Sequence, residues 1–297
     1  MVNLKDIRTR IASVKSTQQV TSAMKMVSAA KLRKAQDSIV RMRPYAEKLN
    51  EILTIVSSNL DSDIENKYAV RKNKERILIV VITSNRGLCG GFNSNVVKRT
   101  TELLTQKYEE FSQKGKVDVV AIGKKGIDGL KAKGIKVSRG YIELYDGLSF
   151  TLVTEITQCI LDGYTEGIYD HVELVYNQFK NAAVQTLVTE QFLPVKKLET
   201  NDIQTLKGEF RPWYIFEPSM QEIADKIIPQ SLKIQFYKAI LDSVASEQGA
   251  RMTAMHKATD NAGVLIRELK LQYNQARQTS ITNEILEIVS GANAQRS

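Results

Sequence analysis

The sequence predicts an α/β fold: a long antiparallel coiled coil of the N- and C-terminal helices with a central Rossmann-like α/β domain. Three observations lead there. After Pro229 the chain contains no further proline. In that stretch Leu241, Ala245, Gln248, Met252, Met255, Thr259, Ala262, Ile266, Leu269, Tyr273 and Ala276 recur at spacings of four and three. This is a heptad seam over roughly five heptads, the period that makes one helix supercoil on another. The opening residues answer it with Leu4, Ile7, Ile11 and Val14. Between the ends, strand-like and helix-like segments alternate, which indicates a mainly parallel sheet covered on both faces.

Taken in order, residues 1–58 are expected to form the N-terminal helix of the coiled-coil shaft. Pro44 falls inside it and predicts a kink or short break near Arg43, because proline removes one backbone bond and crowds the preceding turn. At 1.5 Å per residue the first helix spans roughly 80 Å and the last roughly 90 Å, lengths that need a buried seam to be stable. On the first helix the seam reads on through Gln18, Thr21, Met24, Val27 and Lys31, and its mixed character from Lys15 to Gln36 suggests contact with a partner on several sides. An imperfect but self-contained coiled coil fits the pattern equally well.

Residues 74–195 are expected to hold the globular α/β domain. Arg76 to Thr83 reads as a buried strand, followed by a glycine-rich loop (Arg86 to Gly91) and a helix from Asn93 to Phe111. Val117 to Ile122 is a strand, Lys124 to Lys133 a helix, Ile135 to Val137 a short strand and Ser149 to Glu166 a helix. His171 to Phe179 and Ala183 to Leu193 alternate like a hairpin. Residues 196–228, with Pro212 and Trp213, form an irregular connection. Residues 229–297 are the C-terminal helix, with Pro229 suited to its first position.

Composition narrows the function. Cys89 and Cys159 lie in no C-x-x-C arrangement, which argues for a reducing compartment and against a disulfide framework or structural zinc. The N-terminus reads as amphipathic helix rather than signal peptide, and no stretch approaches the ~20 apolar residues of a membrane span. Of the net charge of +9, residues 1–48 carry most: eleven Lys or Arg against three acids. Such a basic helix can face nucleic acid, anionic lipid or acidic protein loops.

The loop Thr83 to Asn93 lies between a strand and a helix, where phosphate loops occur. It has neither G-x-x-x-x-G-K-[ST] nor G-x-G-x-x-G, so Gly87, Gly90 and Gly91 are read as a structural glycine loop. His171 and His256 show no companion acids at ligand spacing, and no G-x-S-x-G elbow appears. No catalytic residue, metal or cofactor is expected. At the other end, Ile281, Ile285, Leu286, Ile288 and Val289 cover more than half the helix circumference. A lone apolar tip of this kind needs a socket.

These residues resemble a known family. The stretches Leu4–Lys15 (LKDIRTRIASVK), Thr17–Thr21 (TQQVT), Ala23–Val27 (AMKMV) and Ala30–Gln36 (AKLRKAQ) are similar to the gamma subunit of F-type ATP synthases. So are Arg86–Asn93 (RGLCGGFN), Tyr176-Asn177 with Phe179, and the C-terminal block through Ser246-Glu247, Ala250-Arg251-Met252, Ala258 to Ala262 and Gly291-Ala292. The resemblance implies a non-catalytic central rotor stalk that couples proton-driven rotation of the membrane ring to conformational cycling of the catalytic beta subunits. The implied partners are the alpha and beta subunits of the hexamer, the epsilon subunit and the c-subunit ring, with membrane association only through them. It also implies that Met24 and Lys25 lie near an acidic loop of the beta subunits, that Arg277 and Gln278 engage the beta catch loop, and that the tip from Ile281 to Val289 turns in a sleeve of the hexamer. The family varies most around Lys196 to Trp213, and the resemblance assigns no residues to the c-ring contact. No chloroplast-type regulatory cysteine pair and no mitochondrial transit sequence is seen, which favours the cytoplasmic face of a bacterial inner membrane. The competing reading is a coiled-coil scaffold whose basic helix binds nucleic acid, although residues 1–48 offer only Tyr45 for base stacking. An α/β enzyme using the glycine loop is a third.

Overall fold

In a computed structural model, residues 4–59, 67–68, 76–145, 147–182, 184–195, 217 and 220–294 are described. The chain divides into two compact units, one of Ala30–Ala250 and one of Met1–Ala29 with Arg251–Ser297.

The first unit is built on a five-stranded sheet in the order β3-β2-β1-β4-β5. The strands are β1 (Ile77–Ile82), β2 (Val117–Ile122), β3 (Arg139–Tyr141), β4 (His171–Phe179) and β5 (Gln185–Leu193). β1 pairs in parallel with β2 and β4, β2 with β3, and β5 returns antiparallel along β4. Every residue of β1 is buried, as a central strand covered on both faces requires. Leu78, Val80 and Ile82 point to one face, where Val153 and Leu161 of α5 (Phe150–Thr165) and Phe236 and Ile240 of α6 (Met220–Ala294) close the core. Ile77, Ile79 and Val81 point to the other, against Val96 of α2 (Phe92–Glu102) and Leu130 of α4 (Lys124–Ala132). Each such side chain contributes about 1.5–3 kcal/mol by leaving water.

Three local expectations are corrected. The helix expected from Asn93 to Phe111 is divided: α2 passes into a π-turn at Leu103–Lys107, and a short α3 follows at Glu109–Gln113. The cause is a buried carboxylate. Glu173 of β4 is 2% exposed, and its Oε1 accepts from Lys107 Nζ and from Tyr108 Oη at 2.8 Å. The wide turn, closed by Tyr108 N–H donating to the Leu103 carbonyl at 2.9 Å, swings both donors onto that oxygen. The third strand lies at Arg139–Tyr141 instead of Ile135–Val137. Gly134 adopts φ 74°, and the N–H of Ile135 donates to Leu130 to close the end of α4, so Ile135 belongs to a helix cap. Finally, α6 begins at Met220, and Pro229 lies inside it. Apart from Glu217, the remaining expected connection, including Pro212 and Trp213, lies outside the described residues.

α1 runs from Leu4 to Asn59 without a break at Pro44. Both Pro44 and Val40, whose carbonyl loses its helical partner, are on the exposed side of the helix, where water can solvate that carbonyl.

In the second unit, α1 and α6 pack against each other. Thr259 Oγ1 donates to Thr21 Oγ1 at 2.9 Å, and a Cβ added at Gly263 would stand 3.2 Å from Gln18 Nε2. Partners fall in number on α6 as they rise on α1, so the pair is antiparallel. Met255, Ala262 and Leu269 are buried along the α6 seam, while His256, Asn261 and Glu268 beside it are exposed. On α1 the seam after Thr21 differs from the reading through Val27 and Lys31. Ser28 is 2% exposed, whereas Val27 is 56% exposed. The heptad continues through Lys25 and Ser28 here, and within the first unit through Leu32, Ala35, Ile39, Met42, Ala46 and Leu49. The rhythm is unbroken; polar and small residues at Gln18, Thr21, Lys25 and Ser28 conceal it.

The Glu173 contact yields a pH prediction. Burial raises its pKa, but donation by His171, Lys107 and Tyr108 outweighs that and holds it at about 2. A depressed folded-state pKa contributes stability that is present above the ordinary carboxylate range and lost as pH falls toward about 2. Glu173→Gln is therefore expected to lower stability at pH 7 by on the order of 3 kcal/mol. Urea midpoints of the two proteins should converge between about pH 5 and pH 2. A difference that stays constant over that window would refute the carboxylate's role.

Candidate functional site

The glycine loop is the first place where chemistry could reside. β1 delivers the chain to it at Thr83, whose Oγ1 donates to the Ile122 carbonyl at 3.0 Å and accepts from Gly126 N–H at 2.9 Å. Asn93, at the start of α2, folds its side chain back. Its Oδ1 accepts from Ser84 N–H at 3.0 Å, and its Nδ2 donates to Ser84 Oγ at 2.8 Å and to Cys89 Sγ at 3.2 Å. Asn85 accepts from Lys124 N–H at 3.0 Å and donates to the Ile142 carbonyl at 2.8 Å.

In open α/β sheets, ligands bind outside the strand carboxyl ends where the strand order reverses, here between β1 and β4. That position is occupied by the protein's own groups. Tyr145 Oη donates to the Thr83 carbonyl at 2.7 Å, and the buried Asn177 donates to the Phe92 carbonyl at 3.2 Å. Burial pushes the Tyr145 phenol upward, so it stays a neutral donor.

Within the loop, Gly90 adopts φ 60°, a Cβ at Gly87 would only touch Lys125 at 3.9 Å, and one at Gly91 would press Asn95 at 3.3 Å. The closest backbone approach lies elsewhere. At Gly123, with φ 98°, a Cβ would fall 2.3 Å from the Thr83 carbonyl oxygen, and at Gly126 it would fall 2.5 Å from Thr83 Oγ1. Neither glycine stands in a recognisable motif. Their only sequence signal is their place at the start of a helix that follows a strand.

Both histidines have a carboxylate neighbour, contrary to the reading from spacing. His171 Nε2 lies 3.2 Å from Glu173 Oε1, and His256 Nδ1 lies 3.3 Å from Asp260 Oδ2. The first follows the two-residue period of a strand and the second the four-residue period of a helix. Among the described residues no three His, Cys, Asp or Glu side chains gather as a metal site.

The second candidate is the surface of the coil. Met24 and Lys25 are half-buried on α1, and Lys25 occupies a seam position. Arg277 and Gln278 are exposed on α6. The antiparallel register set by Thr21 and Thr259 places Lys25 opposite residue 255 or 256 and Arg277 opposite Leu4. The two pairs are thus not brought together: they lie roughly 30 Å apart along the coil at 1.5 Å per residue. Beyond the first described residue of α1, α6 continues without a partner helix among the described residues of this unit. Residues 281–292 are all exposed, with Ile281 at 48% and Ile288 at 71%. More apolar surface lies outside the seam at Val20, Met26, Val264, Leu265 and Leu271, residues that heptad reasoning alone did not single out. Among the described residues no helix is long and apolar enough to cross a membrane.

An antiparallel helical pair with apolar residues on its outer surface, together with an α/β module whose usual ligand crevice is self-filled, defines a coiled-coil protein made to meet other proteins. A family model described as ATP synthase matches residues 3–295. The ATP synthase gamma chains of Cytophaga hutchinsonii and Flavobacterium psychrophilum are 51% and 54% identical over 294 residues, covering 99% of each chain. A chain from the rotor of Euglena gracilis mitochondrial ATP synthase has a TM-score of 0.65 at 23% identity, covering 94% of this chain and 98% of that one. A chain from the central stalk and c-ring of the Tetrahymena thermophila enzyme has a TM-score of 0.56 at 27% identity, covering 80% of this chain and 99% of that one. The chain belongs to the ATP synthase gamma chain family.

The close contact at Thr83 sets a test. Gly123→Ala is expected to destabilise the α/β unit by about 2–4 kcal/mol, because the added methyl meets a backbone oxygen in a left-handed conformation. Gly87→Ala, whose methyl would only touch Lys125 at 3.9 Å, should cost under about 1 kcal/mol. Equal urea midpoints for the two variants would contradict the geometry.

Proposed function

We propose that this chain is the central rotor stalk of an F-type ATP synthase, a non-catalytic subunit that couples rotation of the membrane ring to conformational cycling of catalytic beta subunits. The observation that carries the reading is the bare apolar run from Ile281 to Val289. Clustered exposed apolar residues of this kind mark a protein interaction site, and a sleeve formed by the alpha–beta hexamer is the enclosure proposed. Val20, Met26, Val264, Leu265 and Leu271 stand exposed outside the seam among charged residues, so the pair is unlike on its different sides. That asymmetry is what a rotating shaft needs if it is to present a different surface to each of three sites.

On this reading Met24 and Lys25 meet an acidic loop of the beta subunits, and Arg277 and Gln278 engage the beta catch loop. The epsilon subunit and c-ring are further partners, and the chain reaches the cytoplasmic face of a bacterial inner membrane only through them. The glycine loop Gly87, Gly90 and Gly91 keeps a structural role, and no cofactor is assigned. The nucleic-acid reading finds no support among the relatives.

The test is co-expression with the alpha and beta subunits of the same organism. One copy of this chain per three-plus-three hexamer is expected, with ATP hydrolysis that falls when residues 277–297 are deleted. Arg277→Lys should slow turnover about tenfold, since lysine cannot hold a carboxylate by two parallel bonds and one charge-assisted bond is lost. Wild-type rates of proton-driven synthesis in that variant would sink the assignment of Arg277.

A further inference from the structure

The face of the sheet covered by α2 and α4 carries a groove that the stalk reading leaves unused. It lies between the two helices and encloses about 620 Å³. Gly129 lies in its floor, where a Cβ would stand 2.9 Å from Val97 Cγ2, so the two helices approach closely there. The walls are almost wholly apolar, although several of their residues are polar by name. The hydroxyls are turned away: Ser94 Oγ donates to the Gly91 carbonyl at 3.1 Å, Thr101 Oγ1 to Val97 at 2.9 Å and Thr105 Oγ1 to Thr101 at 3.0 Å. Back-bonding to the helix leaves the threonine methyls facing the groove.

The rim is basic and unevenly neutralised. On the α2 side, Glu102 lies 4.0 Å from Lys98 and 3.5 Å from Arg99. On the α4 side, Lys125 and Lys133 line the groove, and among the described residues neither has an ion pair. An apolar floor with cations along one edge selects for its complement. The geometry points to this groove as a docking site for an amphipathic helix of a partner protein, its apolar face on Val97 and Ala132 and its carboxylates toward Lys125 and Lys133. From Asn93 to Thr105 the groove runs about 18 Å, enough for about three turns of the incoming helix. Nucleic acid fits less well, because the groove offers no aromatic side chain for stacking.

Two measurements test this, both in a Cys159→Ser background that removes the exposed native thiol. The first uses the isolated full-length chain and a helical peptide with leucines on one face flanked by glutamates. Binding should weaken about tenfold in Lys125→Glu/Lys133→Glu and for a peptide with lysines replacing the glutamates. Equal affinities would overturn the proposal. The second uses the assembled complex, where maleimide labelling of Ala132→Cys should be at least tenfold slower than in the isolated chain. Labelling of Glu166→Cys, beside α5, should not change, and the two charge reversals should restore the rate at 132. Equal labelling of Ala132→Cys in complex and free chain overturns the proposal, as does protection that vanishes when phospholipid is stripped, which would identify a lipid surface instead. The inference rests on the chain working among other subunits, yet failure to co-purify with them would count against the stalk reading alone, with the peptide measurement still deciding the groove.

Discussion

A helix of 75 residues has to be held along its length, and the stripe of α6 that is buried governs most of this molecule. Intrinsic propensity holds a helix of that length in water only weakly, so stability must come from burying one face. In the α/β unit the face is supplied by Leu232, Phe236 and Ile240, which enter the same core as Leu78 and Leu174 of the sheet. In the other unit it is supplied by Met255, Ala262 and Leu269 against α1. One helix therefore follows two packing rules in sequence, and its residues change accordingly. Aromatic and large aliphatic side chains such as Phe236 and Ile240 meet the sheet, while along the coil seam large residues such as Leu269 alternate with smaller ones such as Thr259 and Ala262.

Small and polar seam residues weaken a coiled coil in isolation, since each buried methylene is worth about 0.8 kcal/mol. The hydrogen bond between Thr259 and Thr21 joins the two seams directly, while each hydroxyl also bonds a carbonyl of its own helix, Thr21 to Gln18 and Thr259 to Met255. A register marked by a polar pair is more specific than uniform leucine would make it, because sliding by a heptad breaks this bond between the helices. For two helices required to transmit force along their surfaces, a fixed register is worth more than maximal apolar burial.

Legibility in the sequence followed the strength of the local signal. β1, β2, β4 and β5 could be read because runs such as Ile77 to Ile82 leave few other options for a buried segment. The α6 seam was equally plain, since Leu241, Met255, Ile266 and Leu269 mark it with large apolar residues. The α1 seam was lost at Met24 because Met24 and Val27 are more hydrophobic than Lys25 and Ser28, although the latter continue the heptad. The π-turn at Leu103–Lys107 was invisible for another reason: its cause is a carboxylate 66 residues away from Lys107, on a different element. Candidate site residues on exposed positions, such as Arg277, carry no packing signal at all. They were named by resemblance, and only the exposure of their surroundings gives them a physical setting.

The glycines give the sharpest contrast. Gly87, Gly90 and Gly91 attract attention because they are clustered, but the backbone approaches most closely at Gly123 and Gly126, around Thr83. In a nucleotide-binding sheet, close approach after the first strand makes room for phosphate oxygens at a helix N-terminus. Here the helix brought close is α4 and the group it receives is the Thr83 hydroxyl, accepting from Gly126 N–H at 2.9 Å. The same geometric device joins two neighbouring strand–helix connections to each other. With Tyr145 and Asn177 filling the rest of the strand ends, the free energy that a ligand would supply is instead supplied internally, by buried hydrogen bonds that stiffen the loop. A rigid loop at the carboxyl edge of the sheet suits a subunit that must carry load better than one that must open to bind and release a small molecule.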